Sequence, residues 1–246
     1  MNFIGIIPAR YASTRFPGKP LVDIEGKPMI QHVYEQTKKA LEHVYVATDD
    51  QRIYDAVIKF GGKVVLTSDK HQSGTDRLAE AIDIIHKTGQ EKFDAVINIQ
   101  GDEPFIKPQQ IKEIMSCFDN PLAKIATLVK KIDNNADIFD INKPKVVFNK
   151  KMQAIYFSRS PIPFLRNEPK DQWHIKHDFY KHIGMYAYKI KTLQELTELE
   201  QSPLELAESL EQLRWIENGY AIYVAVTKFE SFGVDTPEDL EKILKK

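Results

Sequence analysis

The sequence has a single cysteine, almost no net charge and no long apolar run, and each absence excludes a class of protein. With Cys117 alone among 246 residues, the chain cannot form an internal disulfide framework or a multi-cysteine zinc site. The formal net charge of −1 gives no bulk attraction to nucleic acid or to an anionic membrane. No apolar run reaches the roughly 18 residues that a membrane-spanning helix needs. We therefore expect no nucleic-acid partner and no membrane insertion.

Familiar motifs are missing as well. The segment from Met1 to Pro8 has no basic stretch, and its apolar part is too short for a signal peptide, so we expect a cytoplasmic protein. The G-x-x-x-x-G-K-[ST] spacing of a Walker A loop is absent, and no Ser-His-Asp or Cys-His arrangement is evident. Any strong anion binding must therefore come from a local cluster of Arg and Lys.

Strand-like and helix-like segments alternate as far as about Lys130. Apolar residues make up 42% of the chain, enough for the core of one α/β domain spanning residues 1–246. Short apolar runs typical of buried parallel strands cover residues 3–7, 44–47, 64–66 and 95–99. Stretches of helical periodicity separate them, beginning at Pro28, Ile53, Leu78 and Pro108. The alternation predicts a doubly wound, mostly parallel sheet.

The pattern changes after about Lys130 and indicates an inserted α+β subdomain, roughly residues 130–220. Residues 146–157 have the pattern of a β-hairpin, and residues 182–188 that of a strand. A capping box at Ser202 and Glu205 predicts the start of one amphipathic helix that ends at Gly219. Its predicted apolar face carries Leu206, Leu210 and Leu213.

The loop after the first strand is the strongest candidate for anion binding. It places Arg10, Arg15 and Lys19 together with hydroxyls such as that of Ser13. Ligands of open α/β sheets bind beyond the carboxyl ends of the strands, and guanidinium and ammonium groups match polyphosphate oxygens. A basic loop can also be simply solvated, but its position favours a phosphate site.

Two acidic segments are candidates for a metal site. Asp102 lies in Gln100-Gly101-Asp102-Glu103-Pro104, directly after the strand at 95–99. Asp235 lies in a second segment, where Thr236 already accounts for the cap of the last helix. Mg²⁺ takes one or two carboxylates plus phosphate oxygens, although both segments are also good turn chemistry.

Taken together, these motifs resemble those of the CMP-Kdo synthetases, the 3-deoxy-manno-octulosonate (Kdo) cytidylyltransferases. The segments that carry the resemblance run in order along nearly the whole chain. They are IIPARYASTRFPGKPL, ATDD, HQSGTDRLAE, NIQGDEP, AIYFSRSPIPFLR, KHIGMYAY, SPLELAESLEQLRW and GVDTPEDLE. The first segment and QGDEP are shared more widely among cytidylyltransferases, whereas the blocks from FSR to LEQLR indicate Kdo.

The resemblance implies a Rossmann-like GT-A-type fold, a homodimer formed by the inserted subdomain, and Mg²⁺ as cofactor. The implied reaction is CTP plus Kdo giving CMP-Kdo plus pyrophosphate, by attack of the sugar 2-hydroxyl on the α-phosphorus, for lipopolysaccharide biosynthesis. The residues it implies for nucleotide binding are Arg10, Ser13, Arg15, Lys19, Gln72, Ser73, Gly74 and Arg77. Those for the sugar are Gln100, Arg159, Arg166, His182, Tyr186, Glu211 and Gln212. Asp102 and Asp235 are the implied metal ligands, and with Arg10 and Lys19 the implied catalytic residues.

Two features depart from the family pattern, and two other functions compete. Ala187 stands where glycine is expected between two tyrosines, and residues 167–178 match nothing in the pattern. A CMP-sialate synthetase is the nearest rival enzyme, and the FSR, HIGMYAY and LEQLR blocks speak against it. A catalytically inactive scaffold on the same fold is the rival from another class. Such a scaffold would lack a metal carboxylate or a phosphate cation, and none is missing.

Overall fold

The structure is a computed structural model that describes residues 1–12, 16–71, 73–89, 91–234 and 236–244. It divides into two compact units. The first comprises Met1–Ile111, Tyr188–Thr197 and Ser231–Lys246, and the second Lys112–Ala187 and Glu198–Glu230.

The elements alternate as the sequence predicts, with bounds close to those expected. The strands are β1 (Phe3–Ala9), β2 (Asp23–Ile24), β3 (Lys27–Pro28), β4 (His43–Thr48), β5 (Val64–Leu66), β6 (Ala95–Asn98), β7 (Ile125–Lys131), β8 (Lys145–Phe148), β9 (Ala154–Ser158), β10 (Tyr180–Lys189) and β11 (Ile222–Val226). The helices are α1 (Met29–Lys38), α2 (Gln51–Lys59), α3 (Gly74–Thr88), α4 (Pro108–Ser116), α5 (Asn135–Phe139), α6 (Trp173–Lys176), α7 (Ile190–Thr197), α8 (Pro203–Glu208), α9 (Gln212–Glu217) and α10 (Pro237–Leu244).

The first unit is built on four parallel strands in the order β6-β1-β4-β5. From β1 the chain winds outward through α1, β4 and α2 to β5, and then returns through α3 to β6 on the other side of β1. The isoleucines of β1, such as Ile4, Ile6 and Ile7, have no exposed surface, as expected of a central strand covered on both faces. The winding direction reverses between β1 and β6, and such a switch point is where open α/β sheets bind ligands.

The second unit combines parallel and antiparallel pairing. β11 pairs with β7 in parallel, and β8 is antiparallel both to β9 and to β10. The predicted hairpin over residues 146–157 is thus confirmed. Together with the parallel strands of the first unit, this confirms the predicted mixed, mostly parallel α/β class.

Residues 167–178, for which the sequence predicted no role, supply a core side chain to the second unit. Trp173 is 1% exposed and lies in a cluster with Ile132, Ile138 and Phe179. Its ring stacks on Phe179 at 5.8 Å between centroids, and its indole N–H donates to the Glu168 carbonyl oxygen. The segment therefore contributes a buried tryptophan to the core of the second unit.

The predicted single helix from Pro203 to Asn218 is wrong, because it is two short helices, α8 and α9. The capping box at Ser202 and Glu205 is present as predicted. The helix is interrupted at Ser209, which has a left-handed φ of 51° and ends α8. Leu206, expected on the buried face, is consequently 61% exposed, whereas Leu210 and Leu213 are buried. An arginine, described below, donates hydrogen bonds to the carbonyl groups at this break.

Candidate functional site

The switch point of the first unit brings together two of the three predicted motifs. Arg10 follows β1 directly, and Gln100 to Asp102 follow β6, the neighbouring strand. Gly101 lies so close to β1 that a Cβ atom there would be 2.6 Å from the Pro8 carbonyl oxygen. Glycine at this position therefore lets the loop after β6 pack against the end of β1.

Lys19 and Asp102 form an ion pair at this point. The Lys19 Nζ lies 2.8 Å from the Asp102 Oδ2, and the two side chains are 14% and 31% exposed. Lys19 begins a short 3₁₀ helix, Lys19–Leu21, that follows Gly18 in the left-handed conformation. The geometry places a predicted phosphate ligand and a predicted metal ligand in direct contact, although the sequence separates them by 83 positions.

The third motif reaches Asp102 through the backbone. The Val234 N–H donates to the Asp102 carbonyl oxygen at 2.9 Å, and the Val234 side chain is fully buried in a cluster with Ile24, Met29 and Leu240. The predicted cap of the last helix is confirmed by reciprocal hydrogen bonds between Thr236 and Asp239. The residue that follows Val234, the predicted metal ligand Asp235, lies outside the described residues.

Three other predicted ligands, Ser13, Arg15 and Gln72, also lie outside the described residues. Their assignment to the nucleotide stays a prediction.

Arg10 is exposed and ties the end of β1 to the loop before α3. Its Nη2 donates to the His71 carbonyl oxygen at 2.9 Å and to that of Ser73 at 3.4 Å. Glu80 holds this loop from within α3, because its Oε2 accepts from the Ser68 N–H at 2.8 Å and contacts the His71 imidazole. The orientation of Arg10 thus depends on a carboxylate that sequence reasoning did not single out.

The predicted cytidine residues on α3 are mostly engaged within the protein. The Ser73 hydroxyl accepts from the Asp76 N–H and caps the helix, and Gly74 is exposed. Arg77 has no exposed surface, and its guanidinium donates to Asp49 and Thr67 at 2.6 Å each. Arg77 therefore fixes Asp49 at the end of β4, and its contact with cytidine stays a prediction.

Glu103 is the most perturbed acid next to this site. It is 8% exposed, and burial raises the pKa of its carboxyl to about 7, with a further rise from the neighbouring Asp102 charge. Asp102 and Glu103 thus stand side by side in different environments.

In the second unit, two of the predicted sugar residues share one face of β10, as their spacing predicts. The rings of His182 and Tyr186 are 5.2 Å apart between centroids. Burial lowers the pKa of His182 to about 3, so the ring is neutral at physiological pH. Burial likewise raises the pKa of Tyr186, with a smaller contribution from the Glu211 charge.

Thr127 of β7 is the centre of this cluster, and sequence reasoning missed it. Its hydroxyl lies 2.9 Å from the His182 Nε2 and 2.8 Å from the Met185 carbonyl oxygen. It stands within an apolar strand, where a buried threonine looks the same as a β-branched core residue. Only the pairing of strands shows that it meets the histidine.

Gln212 is buried next to Leu213 on α9. It is 5% exposed, and its amide nitrogen has no hydrogen-bond partner among the described residues. An unpaired buried amide carries a free-energy cost that binding to a polar ligand would remove. Its neighbour Glu211 is partly exposed, at the start of the same helix.

Arg159, at the end of β9, is held by protein groups on several sides. Its Nε donates to the Glu208 carbonyl oxygen at 2.7 Å, its Nη2 to that of Ser209, and its Nη1 to that of Ile141. The Glu208 carbonyl is the last of α8 and the Ser209 carbonyl is that of its C-cap residue, so Arg159 caps the end of this helix. Arg166, by contrast, is exposed.

The described residues contain no group of three or more His, Cys, Asp or Glu side chains arranged to hold a metal ion. Within the same residues, no helix combines the length and apolar character needed to cross a membrane.

The comparisons with known proteins agree with this geometry. Cations and a carboxylate at the switch point of a parallel sheet are typical of a nucleotide-binding α/β protein. A family model described as cytidylyltransferase matches residues 4–243. A Parabacteroides distasonis protein named 3-deoxy-manno-octulosonate cytidylyltransferase is 60% identical, over 99% of this chain and 97% of the relative. One of the same name from Phocaeicola vulgatus is 57% identical, over 98% and 96%.

A solved structure gives the same result. It is described as CMP:2-keto-3-deoxy-manno-octonic acid synthetase complexed with CTP, and it matches with a TM-score of 0.89 at 44% identity, covering 99% of this chain and 97% of that chain. The chain belongs to the cytidylyltransferases, and within them to the 3-deoxy-manno-octulosonate cytidylyltransferase family.

Proposed function

We propose that this chain transfers the cytidylyl group of CTP to Kdo, forming CMP-Kdo and pyrophosphate for lipopolysaccharide assembly. The observation that carries the proposal is the placement of Lys19 against Asp102 at the switch point between β1 and β6, in a chain of this family. We further propose that the reaction takes place in the cytoplasm, where CTP is made.

Binding of CTP would exploit the cations of the first unit. Arg10, Arg15 and Lys19 offset the negative charge of the triphosphate, and they stabilise the charge that develops on the leaving pyrophosphate. Transfer of this kind depends on positioning and charge neutralisation more than on a covalent intermediate. The anomeric 2-hydroxyl of Kdo forms the new bond to the α-phosphorus as the bond to the pyrophosphate oxygen breaks.

Asp102 and Asp235 would hold Mg²⁺, and their chemistry fits it. Mg²⁺ prefers oxygen ligands and combines one or two carboxylates with substrate phosphates. Asp102 offers a partly exposed carboxylate beside a phosphate cation, and the backbone hydrogen bond from Val234 brings the neighbour of Asp235 to Asp102. Bound there, the cation would lower the pKa of the sugar hydroxyl and neutralise phosphate charge.

We assign recognition of the sugar to residues of the second unit, and the role of Gln100, which follows β6 in the first unit, stays a prediction. His182 is neutral, so it serves as a hydrogen-bonding group and not as a counter-charge for the sugar carboxylate. The buried amide of Gln212 needs a polar partner. Arg166 is an exposed cation, whereas the contacts of Arg159 assign it the shaping of the pocket around α8. Tyr186 and Glu211 complete this proposed pocket.

We also propose that the second unit forms a C₂ homodimer. Within the described residues, it exposes large apolar side chains such as Ile141, Ile155, Phe164 and Ile175, each more than half exposed. Among the described residues, β9, which carries Ile155, pairs with no strand except β8, although Gln153 just before it forms a single antiparallel bridge to Tyr223. β9 is therefore an edge strand. Exposed apolar surface on an edge strand favours burial against a partner, and a copy of the chain would supply it.

A pyrophosphate-release assay with a panel of acidic sugars tests the proposed function. The purified chain receives CTP and Mg²⁺ with Kdo, with a sialic acid, or with no sugar. We expect pyrophosphate with Kdo at least about 10²-fold faster than with sialic acid, and none without sugar. Preference for sialic acid would make the chain a sialate cytidylyltransferase, and no release with any sugar would indicate the inactive scaffold. Asp102→Asn is the variant expected to lose pyrophosphate release, and the surface variant Asp171→Asn is its matched control.

A further inference from the structure

A backbone hydrogen bond joins Tyr11, which follows Arg10, to Gly18, which precedes Lys19. The Gly18 N–H donates to the Tyr11 carbonyl oxygen at 2.9 Å, so positions 11 and 18 are neighbours although seven positions apart. The Leu21 N–H in turn donates to the Gly18 carbonyl oxygen at 2.8 Å, which starts the turn that carries Lys19. The position of Lys19 therefore depends on how Gly18 is held.

The Tyr11 ring packs against the backbone of this turn. Gly18 has a φ of +72°, and a Cβ atom added there would lie 3.2 Å from three atoms of the Tyr11 side chain. Both the backbone angle and the contact with the ring favour glycine at position 18. The ring is thus in direct contact with the residue before Lys19.

A fixed arginine holds the ring from a different element. The Arg52 Cζ lies 3.2 Å from the centroid of the Tyr11 ring, within the range of a cation–π contact. The guanidinium is itself held by Asp50 through Nε at 2.9 Å and Nη2 at 2.6 Å. Asp50 is the N-cap of α2, where its Oδ1 accepts from the Arg52 N–H. The start of α2 therefore presents Arg52 in a defined orientation.

We propose that Tyr11 is a positioning residue for CTP binding, and that its ring, held by Arg52, fixes the turn at Gly18 and thereby the ammonium group of Lys19. The inference rests on the proposed function. Neither residue is a buried core side chain, because Tyr11 is partly exposed and the Arg52 side chain is 59% exposed. We therefore expect that loss of their contact disturbs the loop and does not disturb the sheet.

The test compares Tyr11→Phe, Tyr11→Leu and Arg52→Met with the control Lys59→Met, an exposed cation on the same helix. CTP affinity is measured by calorimetry without sugar, and the KM values for CTP and Kdo are measured separately. We expect Tyr11→Leu and Arg52→Met to weaken CTP binding by about 3- to 10-fold, with the KM for Kdo unchanged. Tyr11→Phe keeps the ring and stays within about twofold of wild type. The double variant Tyr11→Leu/Arg52→Met binds CTP no more weakly than Tyr11→Leu alone, because both substitutions break the same contact.

Hydrogen exchange at the Gly18 amide provides a readout that needs no ligand. Exchange accelerates in Tyr11→Leu and Arg52→Met and not in Lys59→Met or Tyr11→Phe, with thermal unfolding as the check on folding. Unchanged exchange and CTP affinity in Arg52→Met would overturn the inference. A loss in Tyr11→Phe as large as in Tyr11→Leu would also overturn it, since the hydroxyl would then act directly. If wild type fails to bind CTP, the proposed function fails, while the exchange data still decide whether the contact fixes the turn.

Discussion

The Lys19 ammonium group and the Asp102 carboxylate lie 2.8 Å apart at the switch point of the sheet. One is a proposed ligand of the CTP phosphates and the other a proposed ligand of Mg²⁺. When Mg²⁺ and CTP bind, Asp102 would exchange the Lys19 ammonium group for the metal ion. Lys19 would exchange the Asp102 carboxylate for phosphate oxygens. Before substrate binds, the ion pair therefore holds both side chains in position and offsets their charges.

The first prediction concerns this pair. Asp102→Asn lowers kcat by on the order of 10²-fold or more, because it removes a carboxylate from the proposed metal site. Lys19→Met raises the KM for CTP and lowers kcat, because a charge-assisted contact worth about 1.5–3 kcal/mol is lost. Steady-state kinetics across a Mg²⁺ titration measure both effects. Full activity of Asp102→Asn at limiting Mg²⁺ would remove Asp102 from the metal site.

The second prediction concerns Glu80, which acts on Arg10 through the loop before α3. Glu80→Ala frees the Ser68 N–H and the His71 ring, and with them the carbonyl groups that orient Arg10. We expect a rise of about tenfold in the KM for CTP, in line with one lost hydrogen bond to a charged group. The matched control is Asp83→Asn, three positions further along α3, which keeps the wild-type value. A wild-type KM in Glu80→Ala would show that Arg10 is held without this carboxylate.

The third prediction follows from the lowered pKa of His182. Because the pKa is about 3 in the folded protein and near 6.5 in the unfolded chain, the unfolded state binds the extra proton between these values. The stability from the neutral histidine is complete above pH 6.5 and falls as the pH drops towards 3. Between pH 7 and pH 5 the free energy of unfolding decreases by up to about 2 kcal/mol more in wild type than in His182→Gln.

Urea denaturation at several pH values measures this difference, and His177→Gln, an exposed histidine of the same unit, keeps the wild-type slope. Parallel curves for wild type and His182→Gln would contradict the assignment. An NMR titration of the His182 ring centred near pH 6.5 would do so as well.

The fourth prediction tests the proposed homodimer. Light scattering gives about twice 28.4 kDa for wild type at micromolar concentration. Ile155→Glu, on the edge strand β9, shifts the mass towards the monomer because a charge would have to be buried at the interface. Ile58→Glu, an equally exposed isoleucine of the first unit, leaves the mass unchanged. A monomeric wild type with full activity would show that the proposed homodimer is wrong.

Much of the first unit follows from local sequence signals. Its strands are continuous apolar runs, and Thr236 is a recognisable cap of its last helix, so periodicity and capping chemistry predict these elements. The break at Ser209 could not be predicted in this way. A serine has no strong preference for the left-handed conformation, and the arginine that caps α8 comes from position 159, fifty positions away.

The site shows the same division. Arg10 and Asp102 lie just after neighbouring parallel strands, and Lys19 lies in the connection that follows β1. Because parallel strands end at one edge of the sheet, the sequence places these residues at the same edge. Glu80, Thr127 and Arg52 act through contacts that depend on strand and helix packing. From the sequence alone, each has a simpler interpretation: Glu80 as an acid on a helix surface, Thr127 as an ordinary strand residue, and Arg52 as a solvated cation.

The central claim is that the chain joins Kdo to the α-phosphorus of CTP through the sugar's own anomeric oxygen. The most direct test incubates the purified chain with CTP, Mg²⁺ and Kdo labelled with ¹⁸O at the anomeric hydroxyl, and analyses the products by ³¹P NMR and mass spectrometry. We expect equal amounts of CMP-Kdo and pyrophosphate, with the label retained in CMP-Kdo and absent from pyrophosphate. Pyrophosphate without CMP-Kdo, or CMP-Kdo that has lost the label, would contradict it.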